Sequence, residues 1–325
     1  MDFKECRCNR QNAAARRNDM QAVAAFLRTR LRLATVRRRF VGGAILSVAH
    51  SLAIAAARRY TTPMNPVDAL FRRLKAEGRK AFIPFLAAGD PDAATTADLI
   101  PRVAAAGADL IEIGFPFSDP IADGPVIQAA YTRALKSGLK VDHVFAAVRS
   151  ATATPGLVAP VVGMVSYSLI HRRGPEQFVA TAIASGLSGL IVPDLVADEA
   201  DAFAAVCRAA DCKLILLVTP TTTPERAATI VRLCSGFVYC VSIVGITGEQ
   251  TAIPAALTAQ LARLRTMTDL PLCVGFGVSR PEHVRHLKAI ADGVIVGTAL
   301  VKARENGGVP AVEAAVRELS SALRS

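Results

Sequence analysis

From Met64 onward, short runs rich in Val, Ile and Leu alternate with longer segments of helical periodicity, and this alternation limits the fold more than any other feature. Continuous apolar runs without strict polar alternation are the pattern of parallel strands covered on both faces by crossover helices. The sequence places strands at Ala81–Leu86, Asp109–Ile113, Pro160–Val165, Gly189–Val192, Lys213–Val218, Gly236–Val241, Pro271–Val274 and Gly293–Val296, with an amphipathic helix over Pro66–Ala76 before the first. Eight such units predict an α/β fold, a closed (β/α)8 TIM barrel with an extra N-terminal helix, spanning residues 64–325. An open doubly wound sheet is the rival. It is disfavoured because no G-x-G-x-x-G follows the first strand.

Helix punctuation supports this register. Asp92 caps a helix that Gly107 closes, while Thr223-Pro224-Glu225 and Ser279-Arg280-Pro281-Glu282 each place a hydroxyl before Pro and an acid in the first turn. These starts fall just past the carboxyl ends of strands, the face on which barrels build active sites.

Charge separates the first 63 residues from the rest. They hold 13 of the 38 Lys and Arg but three of the 27 acids, Asp2, Glu5 and Asp19, so the net charge of +11 is almost wholly local. The barrel segment is close to neutral and lacks the broad positive field that phosphate-backbone binding requires, which excludes nucleic acid as a partner. Arg37-Arg38-Arg39 before the apolar stretch Phe40–Ala57 has the order of an export or transit signal, but that stretch contains His50 and two glycines and ends at Arg58-Arg59. A start codon placed upstream of a native Met64 is the competing reading. Either way residues 1–63 form a basic extension, expected to be poorly ordered and to carry no chemistry. The seven cysteines are scattered, with no C-x-x-C pair and no histidine at zinc spacing, so they read as buried apolar residues in a reducing, cytoplasmic setting with no metal site.

The segment Asp109–Pro125 carries the most chemistry. Glu112 lies inside an apolar strand, where an ionised carboxylate is costly and the pKa rises toward neutrality, as a general acid or base at pH 7 needs. The bland alternative is a salt bridge to an arginine at the barrel's lower end. Asp123 and Asp119-Pro120 sit in a Pro/Gly-punctuated loop, and taken alone both read as turn formers. Beyond the seventh and eighth strands, Gly275-Phe276-Gly277 and Gly297-Thr298 supply the close backbone approach and helix N-terminus that hold phosphate in barrels. The loop Ser242–Gln250 after the sixth strand reads as an ordinary surface loop or a lid.

Together these motifs resemble the tryptophan synthase alpha chain family. The likeness is carried by Phe82-Ile83-Pro84-Phe85-Leu86-Ala87-Ala88-Gly89-Asp90-Pro91, by Glu112–Pro125, by Leu190-Ile191-Val192-Pro193-Asp194-Leu195, by Pro220-Thr221-Thr222-Thr223, by Ile246-Thr247-Gly248 and by Gly275-Phe276-Gly277. It runs from about Met64 to the end, and residues 1–63 take no part. The resemblance implies a lyase that cleaves indole-3-glycerol phosphate to indole and glyceraldehyde 3-phosphate. It makes Glu112 the catalytic glutamate, Asp123 the catalytic aspartate and Tyr239 an active-site tyrosine. It makes Phe85 an indole-pocket aromatic, Thr247 a lid threonine facing the aspartate, and Gly248, Gly277, Gly297 and Thr298 the phosphate contacts. It further implies an alpha2beta2 complex in which Asp119 and Pro120 meet a beta subunit, with pyridoxal phosphate held by that partner and no cofactor in this chain. Three departures stand out: Thr298 replaces a usual Ser, Val244 a lid hydroxyl, and Ser166-Tyr167-Ser168 an aromatic-aromatic-Asn run. Two other readings remain, a non-catalytic activator of the beta subunit and a related phosphate-binding isomerase barrel.

Overall fold

The computed structural model describes residues 64–120, 123–242, 255–275 and 277–324. The expectations for residues 1–63, Val244, Thr247 and Gly248 lie outside these. In chain order the elements are α1 (Pro66–Ala76), β1 (Ala81–Ala87), α2 (Ala93–Ala106), β2 (Ile111–Gly114), α3 (Pro125–Lys136), α4 (Val141–Thr152), β3 (Val161–Met164), α5 (Tyr167–Arg173), α6 (Pro175–Ala184) and β4 (Leu187–Ile191). They continue with α7 (Asp201–Ala209), β5 (Lys213–Ile215), β6 (Leu217–Val218), α8 (Pro224–Leu233), β7 (Val238–Val241), α9 (Ala255–Arg265), β8 (Leu272–Gly275), α10 (Pro281–Lys288), β9 (Gly293–Val296) and α11 (Thr298–Arg324), the last kinked at Gly307–Gly308.

All strand pairs are parallel, in the order β5-β4-β3-β2-β1-β9-β8-β7-β6. The two ends of that order, β5 and β6, are one stretch of chain interrupted at Leu216, so the sheet closes on itself as the (β/α)8 barrel the sequence predicts. The interruption makes nine segments of eight barrel strands. Leu216 itself still accepts from the Tyr239 N–H, at 3.2 Å.

Strand alternation sorts the core into two layers. Ile83, Phe85, Val162, Ile191, Tyr239 and Ile295 point inward and pack on one another. Their neighbours Phe82, Ile111, Leu190, Val238 and Val294 point outward beneath the helices. The lower end is closed by α1, whose Val67, Leu70, Phe71 and Leu74 join the inner layer and set Phe71 against Phe237 at 5.8 Å between ring centroids. Asn65 anchors this plug: its side-chain NH2 donates to the carbonyls of Ser188 and Asp211, at 3.0 and 2.6 Å, and its Oδ1 accepts from the Val67 N–H. The mouth at the other end is thereby left as the open face.

Asp92 accepts from Thr95 N–H at 2.7 Å, Gly107 closes α2 at φ 121°, and Thr223 accepts from Arg226 N–H, all as expected. The hydroxyl expected to cap α10 does not do so. Arg280 is the capping residue there without a side-chain bond, and His283 Nδ1 instead accepts from the Ser279 N–H at 3.4 Å. Cys207, Cys212, Cys234, Cys240 and Cys273 are all buried free thiols.

Candidate active site

Because side chains alternate along β2, Ile111 and Ile113 face the helices while Glu112 faces the barrel interior. The register sets Glu112 level with Phe85 on β1 and Val162 on β3. Its carboxyl is wholly buried, and neither oxygen has a hydrogen-bond partner. The salt bridge that would have given Glu112 a structural role is made instead by Asp109 at the lower end, which accepts from Arg79 and from the Phe82 N–H, each at 3.0 Å. Burial first, and then the charge of Asp123, push the Glu112 carboxyl up to about 8.

Asp123 reaches the same region from the loop before α3. Its N–H donates to Pro120 O at 3.1 Å, and the Gln128 side chain, one turn into α3, donates to the carbonyls of Pro120 and Asp123 at 3.3 and 2.8 Å. This clamp holds Asp123 half-buried at the barrel mouth, where burial pushes its carboxyl up to about 6. At pH 7 the two acids therefore differ: Glu112 carries a proton and Asp123 is mostly ionised. Two carboxyls driven apart by their surroundings form an acid–base pair.

Asp123 lines a cleft with Asp119, Pro120, Tyr131, Met164 and Ser166. Asp119 is exposed on its rim, accepting from Ser118 Oγ at 2.8 Å, and Pro120 is half-buried beside it. The departure at Ser166 has a visible consequence: its hydroxyl and the Tyr167 N–H both donate to Asp194, at 2.6 and 2.7 Å, tying the ends of β3 and β4 together.

Phe85 sits between two neighbours at the mouth. A Cβ on Gly114 would lie 2.5 Å from its ring, and one on Gly297 would lie 3.4 Å from it, so the same buried ring touches the carboxylate strand β2 on one side and the rim beyond β9 on the other. On that rim Val274 pairs with Val294, and Gly277 and Gly297 each lie three residues beyond. Gly277 adopts φ +82°, which favours glycine. Gly297 O accepts from Leu300 and Val301 N–H, so α11 begins there with the Thr298 and Ala299 amides unspent in its first turn. Thr298 is exposed and the two glycines half-buried. Tyr239, on β7, pairs with Leu217 and Cys273, and a Cβ on Gly275 would fall 2.3 Å from its hydroxyl. The charges of Glu112 and Asp123 both reach that phenol and, after burial, raise its pKa well above the usual value.

The structure thus brings Glu112, Asp123, Tyr239 and Phe85 to one end of the barrel, with Gly277, Gly297 and Thr298 just past β8 and β9, between the strands of Tyr239 and Phe85. Sequence reasoning missed Gln128 and Tyr131. It also missed the support beneath the mouth, where buried Asp90 receives Arg133 through Nε and Nη2, at 3.0 and 2.9 Å, and Arg304 as well, joining β1 to α3 and α11. Among the described residues, no cluster of three side chains suited to a metal ion occurs, and no helix is long and apolar enough to cross a membrane.

A proton-bearing carboxyl beside an ionised one, at the mouth of a parallel barrel with a glycine rim, defines an acid–base enzyme of the (β/α)8 class. The family model described as "Tryptophan synthase alpha chain" matches residues 71–323. A tryptophan synthase alpha chain from Rhodopirellula baltica is 48% identical over 261 residues, covering 78% of this chain and 94% of the relative. One from Synechocystis is 47% identical, covering 80% of this chain and all of the relative. Among solved structures, a Mycobacterium tuberculosis tryptophan synthase superposes with a TM-score of 0.75 at 35% identity, covering 81% of this chain and all of that one. The chain belongs to the tryptophan synthase alpha chain family, lyases whose activity is cleavage of indole-3-glycerol phosphate and which work with a beta subunit.

Proposed function

We propose that Glu112 and Asp123 of this chain carry out the cleavage of indole-3-glycerol phosphate to indole and glyceraldehyde 3-phosphate. The observation that carries this reading is the unpartnered, proton-bearing Glu112 buried beside an ionised Asp123. The reaction needs a proton delivered to indole C3 and a proton taken from the adjoining glycerol hydroxyl. Glu112 gives its proton to C3, and the ring nitrogen takes up the positive charge. Asp123 accepts the indole N–H and stabilises that charge. The Glu112 carboxylate then removes the hydroxyl proton, the C–C bond breaks, its electron pair returns to the ring, and the aldehyde leaves. Glu112 ends protonated, as it began, so the cycle balances without a further reactant.

Phe85 supplies an indole wall, and Tyr239 closes the side of the barrel nearest Glu112. Gly277, Gly297 and Thr298 hold the phosphate through backbone amides and one hydroxyl, the Thr methyl replacing a hydrogen of the usual Ser. The roles of Thr247 in the lid and Gly248 at the phosphate rest on the family likeness alone. Asp119 and Pro120, on the outer lip of the cleft, meet the beta subunit in an alpha2beta2 complex. Pyridoxal phosphate belongs to that partner, this chain works without a cofactor, and the site of action is the cytoplasm.

Incubating the full chain with indole-3-glycerol phosphate, alone and with a beta subunit, tests the proposal. Indole appears in both cases, faster with the partner. If the chain accelerates the beta subunit's reaction on supplied indole yet releases none itself, the activator reading replaces this one.

A further inference from the structure

Tyr131 lies on the buried face of α3 with Ile127, Ala130 and Ala134, the one bulky member with a polar tip. In a barrel this helix runs back down from the mouth, and helical side chains lean toward the helix N-terminus, so the phenol is carried up toward the mouth. There it fills the space left by a missing side chain: a Cβ on Gly114 would lie 2.2 Å from the Tyr131 hydroxyl. Tyr131 is 3% exposed and lines the same cleft as Asp123. Its hydroxyl makes no hydrogen bond among the described residues, and because Tyr131 lines the cleft it can be met from that side, as the polar tip of a tyrosine ordinarily is.

We propose that Tyr131 is a positioning residue for the cleavage, its hydroxyl donating a hydrogen bond to the Asp123 carboxylate when the substrate occupies the cleft and so fixing that carboxylate for the indole N–H. The inference rests on the roles proposed above for Glu112 and Asp123. The charges facing the phenol are those of Asp123 on the loop before its own helix and Glu112 on the neighbouring strand. Burial and both charges hold its proton well above the ordinary tyrosine range, so it is a donor throughout the working pH range. Of the two carboxyls Asp123 is the ionised one at pH 7, hence the better acceptor. A ring needed for packing alone would be served by Phe.

The test is Tyr131→Phe in the full chain, with kcat and KM for indole formation each measured from pH 5 to 9 and Glu112→Gln assayed alongside. The hydroxyl stabilises the charged form of Asp123, so its loss raises the pKa on the acid limb. The expected result is a roughly tenfold fall in kcat, with the acid limb of the kcat profile displaced upward by about half a pH unit or more, while the acid limb of kcat/KM, which reports the free enzyme, stays in place. Urea denaturation of Tyr131→Phe is expected to match wild type, because the hydroxyl removed has no partner in the free protein. Wild-type kinetics in Tyr131→Phe overturn the inference, and so does a slower variant whose acid limb in kcat has not moved, which marks a packing role. An active Glu112→Gln overturns the underlying assignment, whatever Tyr131→Phe does.

Discussion

Replacing Glu112 by Gln is expected to stabilise the protein, increasingly so as pH rises. In the unfolded chain this carboxyl titrates near 4.5, and in the barrel burial and the charge of Asp123 raise it to about 8. The neutral form is therefore the one the fold tolerates. Below pH 4.5 the group is protonated in both states and imposes no pH-dependent cost. Between the two values the unfolded state releases a proton that the folded state retains, so stability falls with rising pH, by up to about 1.4 kcal/mol per unit, and it levels off above pH 8. The wild-type cost is about 1 kcal/mol at pH 5 and about 4 kcal/mol at pH 8, a change of roughly 3 kcal/mol that the Gln variant lacks. For a domain of this size that corresponds to a melting-temperature gap on the order of 10 °C between the two pH values. The chain has no tryptophan, so urea unfolding of both proteins is best followed by far-ultraviolet circular dichroism at each pH. Other titrating groups are common to both proteins and cancel in the difference. Parallel stability curves from pH 5 to pH 8 would refute the buried, proton-retaining Glu112.

The pH dependence of kcat/KM is expected to be bell-shaped, rising near pH 6 as Asp123 ionises and falling near pH 8 as Glu112 loses the proton it must deliver; a profile flat from 5 to 9 would contradict this. Gly114→Ala is expected to lose about 1–3 kcal/mol of stability along with activity, since its Cβ would meet the Tyr131 hydroxyl at 2.2 Å and the Phe85 ring at 2.5 Å, and a wild-type urea midpoint would show that these rings are not where they are described. Gly297→Ala is expected to fold normally, its Cβ finding ordinary contacts with Phe85 and Ile127 from 3.4 Å outward, yet to raise KM about tenfold by crowding the substrate against the Phe85 ring; an unchanged KM would place the substrate away from this rim.

The parallel barrel was legible because every strand had to be apolar on both faces, and helix starts were legible where a side chain does the capping, as at Asp92 and Thr223. Boundaries were less so. Asp109 was placed at the head of the second strand, but its carboxylate serves the Phe82 N–H and Arg79 at the lower end, and pairing begins at Ile111. At Ser279 a hydroxyl before Arg-Pro imitated a cap, while the backbone there is met by His283 four residues on. Nothing local marks the interruption at Leu216. Within the site, Glu112 announced itself as a charge in an apolar strand, whereas Asp123, which local chemistry reads as a turn former, gained its role only from the family likeness. Tyr131 was invisible because a tyrosine on a buried helix face looks like core; its meaning depends on Gly114, seventeen residues earlier, leaving room for the hydroxyl.

Single-turnover indole formation by Glu112→Gln, with substrate affinity measured separately by calorimetry, tests the proton-carrier assignment most directly. One group serving both proton transfers predicts a loss on the order of 10³-fold or more in the chemical step, with binding little changed. Turnover within a few-fold of wild type by a variant that binds substrate normally would contradict it.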